Sequence, residues 1–91
     1  MSKKKHDEFF KKIGRNIAKY RTAQGYTQET FANKIGISYS HFTQIEAPNV
    51  VVRMSLEMLL DIADGLGIDV IELMKWFFHC WRKLLHFLFY I

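Results

Sequence analysis

The chain has 91 residues, 49% of them hydrophobic and 24% charged, with a net charge of +4. That suits one folded domain and excludes both a disordered chain and two independent cores. A single cysteine, Cys80, excludes an internal disulfide framework and fits a reducing compartment. The opening MSKKKHDEFF has charge but no apolar run and no cleavage site, so no secretory signal is expected and the cytoplasm is the expected location.

Charge is unevenly placed. Residues 1–53 hold ten Lys/Arg against four acids, and residues 54–91 hold three against five. A basic first half suits a polyanionic partner; a solvated basic surface is the alternative, and charge alone does not choose between them.

Taken in order, residues 7–24 place Phe10, Ile13, Ile17 and Tyr20 (or Arg21) at spacings of three and four, with Gly25 as a stop. This predicts an amphipathic helix closed by a glycine. Thr27 offers an N-cap to a second helix with Phe31, Ala32 and Ile35 inward, ending at Gly36. Ser38 caps a short third helix whose buried positions are Phe42 and Ile45, broken by Pro48 and Asn49. Ser55 caps a fourth with Leu56, Leu59, Leu60, Ala63 and Leu66 expected inward, ending at Gly65-Leu66-Gly67. Asp69 and Glu72 have the spacing of a capping box opening a fifth helix. No strand is expected, because Val50–Val52 is too short between turn signals. The fold class is therefore all-α with five helices.

The informative stretch is Thr27 to Glu46, TQETFANKIGISYSHFTQIE, in which Gly36-Ile37 separates two short helices. Glycine permits a sharp turn with positive φ, isoleucine plugs the corner, and Ala32 must be small where the second helix crosses. With Arg21, Thr27-Gln28, Phe31-Ala32, Gly36-Ile37-Ser38, Ile45-Glu46, Leu56-Glu57-Met58-Leu59 and Ile62-Ala63, the chain from about residue 13 to 74 resembles the Cro/phage-repressor (XRE-like) helix-turn-helix family.

That resemblance implies a phage-repressor-like DNA-binding domain over residues 1–73, with double-stranded DNA as partner. It implies that the helix opening at Tyr39 lies in the major groove, where Tyr39, Ser40, Thr43 and Gln44 read base edges. Gln44 is the strongest single candidate, since a primary amide pairs bidentately with adenine. Gln28 falls where family members hold a phosphate, and Arg21 and Glu46 where they have an ion pair. The recognition helix itself has no Lys or Arg, so further phosphate contacts are expected from Arg21, Lys34, Asn49 and Arg53. Pro48 replaces the family's glycine after the glutamate, and the following loop carries three valines.

Residues 74–91, MKWFFHCWRKLLHFLFYI, are expected to form an extended C-terminal helix for association. Lys75, His79, Arg82, Lys83, His86 and Tyr90 fall in one stripe about 100° wide, and the remainder is apolar. Trp76, Phe77, Trp81, Leu84 and Leu88 are the expected dimerisation residues. The partner is a second copy, a membrane surface or a heterologous protein such as a toxin held by an antitoxin. Charges interrupt the segment too often for it to span a bilayer.

No metal site is expected, since Cys80 points away from His79 and His86 and no fourth ligand is suitably spaced. Glu57, Asp61 and Asp64 read as a solvated helix face, not an acid–base pair. Without a phosphate loop or nucleophile elbow, neither an enzyme nor a cofactor is expected. The sequence thus supports a homodimeric repressor or autoregulator, with a protein-interaction module or membrane-associated regulator as the alternative.

Overall fold

The computed structural model describes residues 5–75, and within them five α-helices follow one another with no strand. They are α1 (Asp7–Ala23), α2 (Gln28–Ile35), α3 (Tyr39–Glu46), α4 (Leu56–Leu66) and α5 (Val70–Leu73). The expected C-terminal helix, with Trp76, Phe77, Trp81, Leu84 and Leu88, lies outside the described residues.

Local chemistry sets the boundaries. Thr27, Ser38 and Ser55 each accept a hydrogen bond from the backbone N–H three residues on, so α2, α3 and α4 begin at hydroxyl caps. At Thr27 the cap is reciprocal, because the Thr30 hydroxyl also accepts from the Thr27 N–H. The C-terminal stops are equally specific. Gly36 adopts φ +79°, its N–H bonds back into α2, and the Ile37 N–H reaches the Ala32 carbonyl at 3.1 Å. This is the crossed bonding of a left-handed helix stop, which a side chain at Gly36 would strain. The ends of α1 and α4 use the same device at Gly25 and Gly67.

One core joins all five helices. Ile13 and Ile17 of α1, Phe31 and Ala32 of α2, Phe42 and Ile45 of α3, and Leu59, Ile62, Ala63 and Leu66 of α4 are buried with Met54 and Leu73. The Phe31 and Phe42 rings meet at 5.4 Å between centroids, linking the two helices of the motif through aromatic contact. No polar side chain is buried without a partner among the described residues.

Two expectations are corrected. Leu56 and Leu60 face solvent, 63% and 47% exposed, while Ile62 is fully buried. Apolar residues surround most of α4, so periodicity did not single out its inner face; packing against α2 and α5 did. The second correction concerns Asp69, whose side chain makes no cap hydrogen bond. Glu72, its expected partner, instead accepts from the Tyr20 hydroxyl at 3.1 Å and from Lys75 Nζ at 2.9 Å. Together with Asn16 Nδ2 donating to the Leu73 carbonyl at 2.8 Å, these bonds fasten α5 to α1.

Candidate nucleic-acid interface

The short helix α3 is held at both ends and along one side. Ser38 caps its start, and Phe42 and Ile45 anchor its inner face. At its last turn, Glu46 meets Arg21 of α1. Arg21 Nε donates to Glu46 Oε2 at 2.7 Å and Nη2 donates to Oε1 at 2.9 Å, a bidentate pair whose side chains are only 12% and 4% exposed. Fork-to-carboxylate geometry of this kind fixes orientation as well as distance. The third guanidinium nitrogen, Nη1, donates to the Tyr26 carbonyl at 2.7 Å.

Gln28 enters the same cluster, its Nε2 donating to Glu46 Oε1 at 2.8 Å. One carboxylate therefore ties together the end of α1, the start of α2 and the end of α3. The approach of α1 is equally tight at Gly14, where an added Cβ would collide with the Ile45 carbonyl oxygen.

With its inner face committed, α3 presents the opposite side outward. Tyr39 is 54% exposed, Ser40 and Gln44 are exposed, and Thr43 is half-buried. The Thr43 hydroxyl donates to the Ser40 carbonyl at 2.8 Å, so its methyl group is directed away from that bond. The four residues expected from the sequence to face a duplex thus share the side of α3 that is not packed. His41, which the sequence reading passed over, is also exposed and stands one helical turn before Gln44.

The expected phosphate contacts separate into two groups. Asn49 is exposed in the turn after α3, and Arg53 is exposed in the loop leading to α4, where its Nη2 donates to Asp7 Oδ1 at 2.7 Å. Arg21 and Lys34 stand on helices and, like Arg53, donate to protein acceptors. Every Arg21 nitrogen is engaged as described, and Lys34 Nζ donates to the Tyr26 hydroxyl at 2.6 Å while lying 4.7 Å from that ring's centre. Lys34 also lines a groove of about 330 Å³ with Ile35, Asp61, Asp64 and Gly65, on the flank where α2 meets α4.

Among the described residues no group of His, Cys, Asp or Glu could hold a metal ion. Glu57, Asp61 and Asp64 are exposed along α4. None of the helices described is long and apolar enough to cross a membrane.

A helix pair joined by a glycine turn, with its second helix clamped and its polar outer side free, defines a DNA-binding helix-turn-helix module. The helix-turn-helix family model matches residues 17–73, more than half of the chain. The chain belongs to the XRE/Cro-type helix-turn-helix family of DNA-binding transcriptional regulators.

Its relatives agree. An uncharacterized HTH-type transcriptional regulator of Bacillus subtilis, YazB, is 43% identical over 60 residues, which are 66% of this chain and 84% of that protein. The crystal structure of the restriction-modification controller protein C.AhdI from Aeromonas hydrophila is similar, with a TM-score of 0.64 at 33% identity, covering 70% of this chain and 94% of that one. The biofilm master regulator SinR, solved in complex with DNA, gives a TM-score of 0.64 at 30% identity over 69% of this chain and 98% of that one. A SinR/SinI complex gives 0.66 at 28% identity, covering 81% of this chain and 75% of that one. All are named as regulators, a controller protein or a complex of one.

Proposed function

We propose that this protein is a sequence-specific transcriptional regulator, a repressor or autoregulator, that binds operator half-sites as a homodimer in the cytoplasm. The observation that carries the reading is the clamped α3 with Tyr39, Ser40, Thr43 and Gln44 along its unpacked side. In this reading Gln44 reads adenine, Ser40 and Thr43 exchange hydrogen bonds with neighbouring base edges, and the Thr43 methyl meets a thymine methyl. Gln28, Asn49 and Arg53 position the domain on phosphates without reading sequence. Arg21 acts indirectly, by holding Glu46 and through it both Gln28 and α3. Lys34, bonded to Tyr26, has no part in the contact.

SinR in complex with DNA supports the reading by likeness, and the two-fold arrangement is proposed because dimeric helix-turn-helix proteins place their two recognition helices one helical turn apart. The second copy is held through the C-terminal segment with Trp76, Phe77, Trp81, Leu84 and Leu88. A second reading is a protein-interaction module, favoured by the lack of Lys or Arg in α3 and by likeness to a SinR/SinI complex.

An electrophoretic titration against a pool of mixed duplexes, repeated at several salt concentrations, separates the two. A DNA reader loses affinity log-linearly with salt. Absence of any shifted species at low salt would transfer the function to protein binding.

A further inference from the structure

The basic excess of the first half is not accounted for by the residues assigned above, and much of it lies on α1. Asp7, Gly14 and Arg21 stand seven residues apart, so they form one row along that helix. All three meet α3 or the loop after it: Asp7 bonds Arg53, Gly14 abuts the Ile45 carbonyl, and Arg21 grips Glu46. α1 therefore packs against the last turn of the recognition helix and reaches the loop that follows it.

One step round the helix from that row come the cations. At 100° per residue Lys11, Lys12, Arg15 and Lys19 fall within a sector of about 100°, roughly opposite the buried Ile13 and Ile17. Only Glu8 interrupts the stripe, 3.9 Å from Lys11 Nζ. Arg15 and Lys19 are exposed, and no ion pair engages either among the described residues. Lys11, Arg15 and Lys19 are spaced by four, making a row about 12 Å long.

We infer that this row is a second phosphate-binding surface, clasping the backbone of the same duplex beside the groove that α3 enters. The inference rests on the DNA-binding reading and deepens it. Its support is charge complementarity together with placement. A row of that length faces a strand carrying one phosphate per ~3.4 Å of helix axis, enough for two or three contacts. It also answers a problem α3 poses. A recognition helix without cations supplies almost no electrostatic affinity, and a neighbouring helix that carries them can provide it independently of sequence.

The test uses the full chain and a 30-base-pair duplex of mixed sequence, with Kd measured by fluorescence anisotropy across a range of salt. The variant Lys11→Gln/Arg15→Gln/Lys19→Gln is compared with Lys5→Gln/Lys34→Gln/Lys75→Gln, which removes the same net charge elsewhere. Each phosphate contact contributes about 0.9 to the slope of log K against log salt, so the α1 variant should be shallower by roughly two to three. Its melting temperature should hold, Arg15→Lys should retain the wild-type slope, and the off-stripe variant should change the slope by less than one.

Equal slope loss from both triple variants, or no loss from either, overturns the surface. So does an unchanged slope joined to lost binding of phosphatidylserine vesicles, which would make the row a membrane contact. If the wild-type chain binds no duplex at low salt, the DNA-binding reading falls as well; if it binds steeply and the α1 variant is indistinguishable from it, only the stripe falls.

Discussion

At the scale of single residues, the side chains on α3 separate into those that hold the helix and those that stand free of it. Glu46 belongs to the first group. With Arg21 and Gln28 both bonded to a carboxylate only 4% exposed, Glu46→Ala leaves Arg21 Nε and Nη2 without their acceptor and only Nη1 still bonded to the Tyr26 carbonyl. Breaking one side of a mostly buried pair costs about 3–5 kcal/mol, so thermal denaturation should show a clear fall in Tm, and an unchanged Tm would remove the clasp from the account. Gln44 belongs to the second group. Gln44→Ala should keep its Tm and most of its non-specific affinity, while losing discrimination at one base pair worth about 1–3 kcal/mol, read on a panel of single-substitution sites. Gln28→Ala combines both effects, weakening all sequences alike and lowering Tm slightly, since the residue bonds Glu46 at 2.8 Å.

Legibility also divides at this scale. Thr27, Ser38 and Ser55 were readable as caps because the chemistry of a hydroxyl cap is local. The duties of Tyr20, Asn16 and Glu72 were not. The bonds that Tyr20 and Asn16 make reach more than fifty residues along the chain, and no spacing in the sequence announces them.

At the scale of elements, α1 is the strut against which the others are set. Gly14 is where it comes nearest to α3, and nothing in its sequence context announces that role. Only the packed structure shows the Ile45 carbonyl beside it. Gly14→Ala must push α3 outward or strain it, an overpacking cost of about 1–3 kcal/mol set against alanine's better helix propensity. The expected result is a lower Tm with weaker DNA binding, and a stabilised variant would contradict the close approach.

The α1–α5 fastening adds a pH dependence. The bond from Lys75 foremost, then that from Tyr20, holds the Glu72 carboxyl below the usual glutamate range despite the opposing effect of burial. Burial, followed by the hydrogen bond to Glu72 and its charge, raises the Tyr20 phenol above its usual value. For an acid lowered in the folded state, the stabilisation is complete above the ordinary glutamate range and is lost as pH falls through the folded value. Glu72→Gln should therefore lose less stability than the wild type on acidification. Identical acid profiles would show that the bond contributes nothing. In α4 the apolar residues were visible, but the inward face was not. Leu56, Leu59, Leu60, Ile62, Ala63 and Leu66 surround the helix too widely for periodicity to choose among them.

At the scale of the whole molecule, the five helices of the described residues place one of their number outward and hold it through the Arg21–Glu46 pair. The segment beyond residue 75 is proposed to have another task. Its apolar residues Trp76, Phe77, Trp81, Leu84 and Leu88 are those proposed to join two copies. Truncation after Leu73 should give a monomer by analytical ultracentrifugation, with affinity reduced because the second recognition helix loses its high effective concentration. A full-length chain that stays monomeric at tens of micromolar would contradict the dimer, and one that then co-sediments with anionic vesicles would assign the segment to a membrane surface.

Selection from a random duplex pool by the full-length chain decides whether the outer side of α3 reads sequence. A two-fold symmetric site should be enriched, with half-sites about one helical turn apart and an adenine position that Gln44→Ala no longer selects. A pool that emerges without a consensus, or a consensus that Gln44→Ala selects unchanged, would contradict sequence reading by α3.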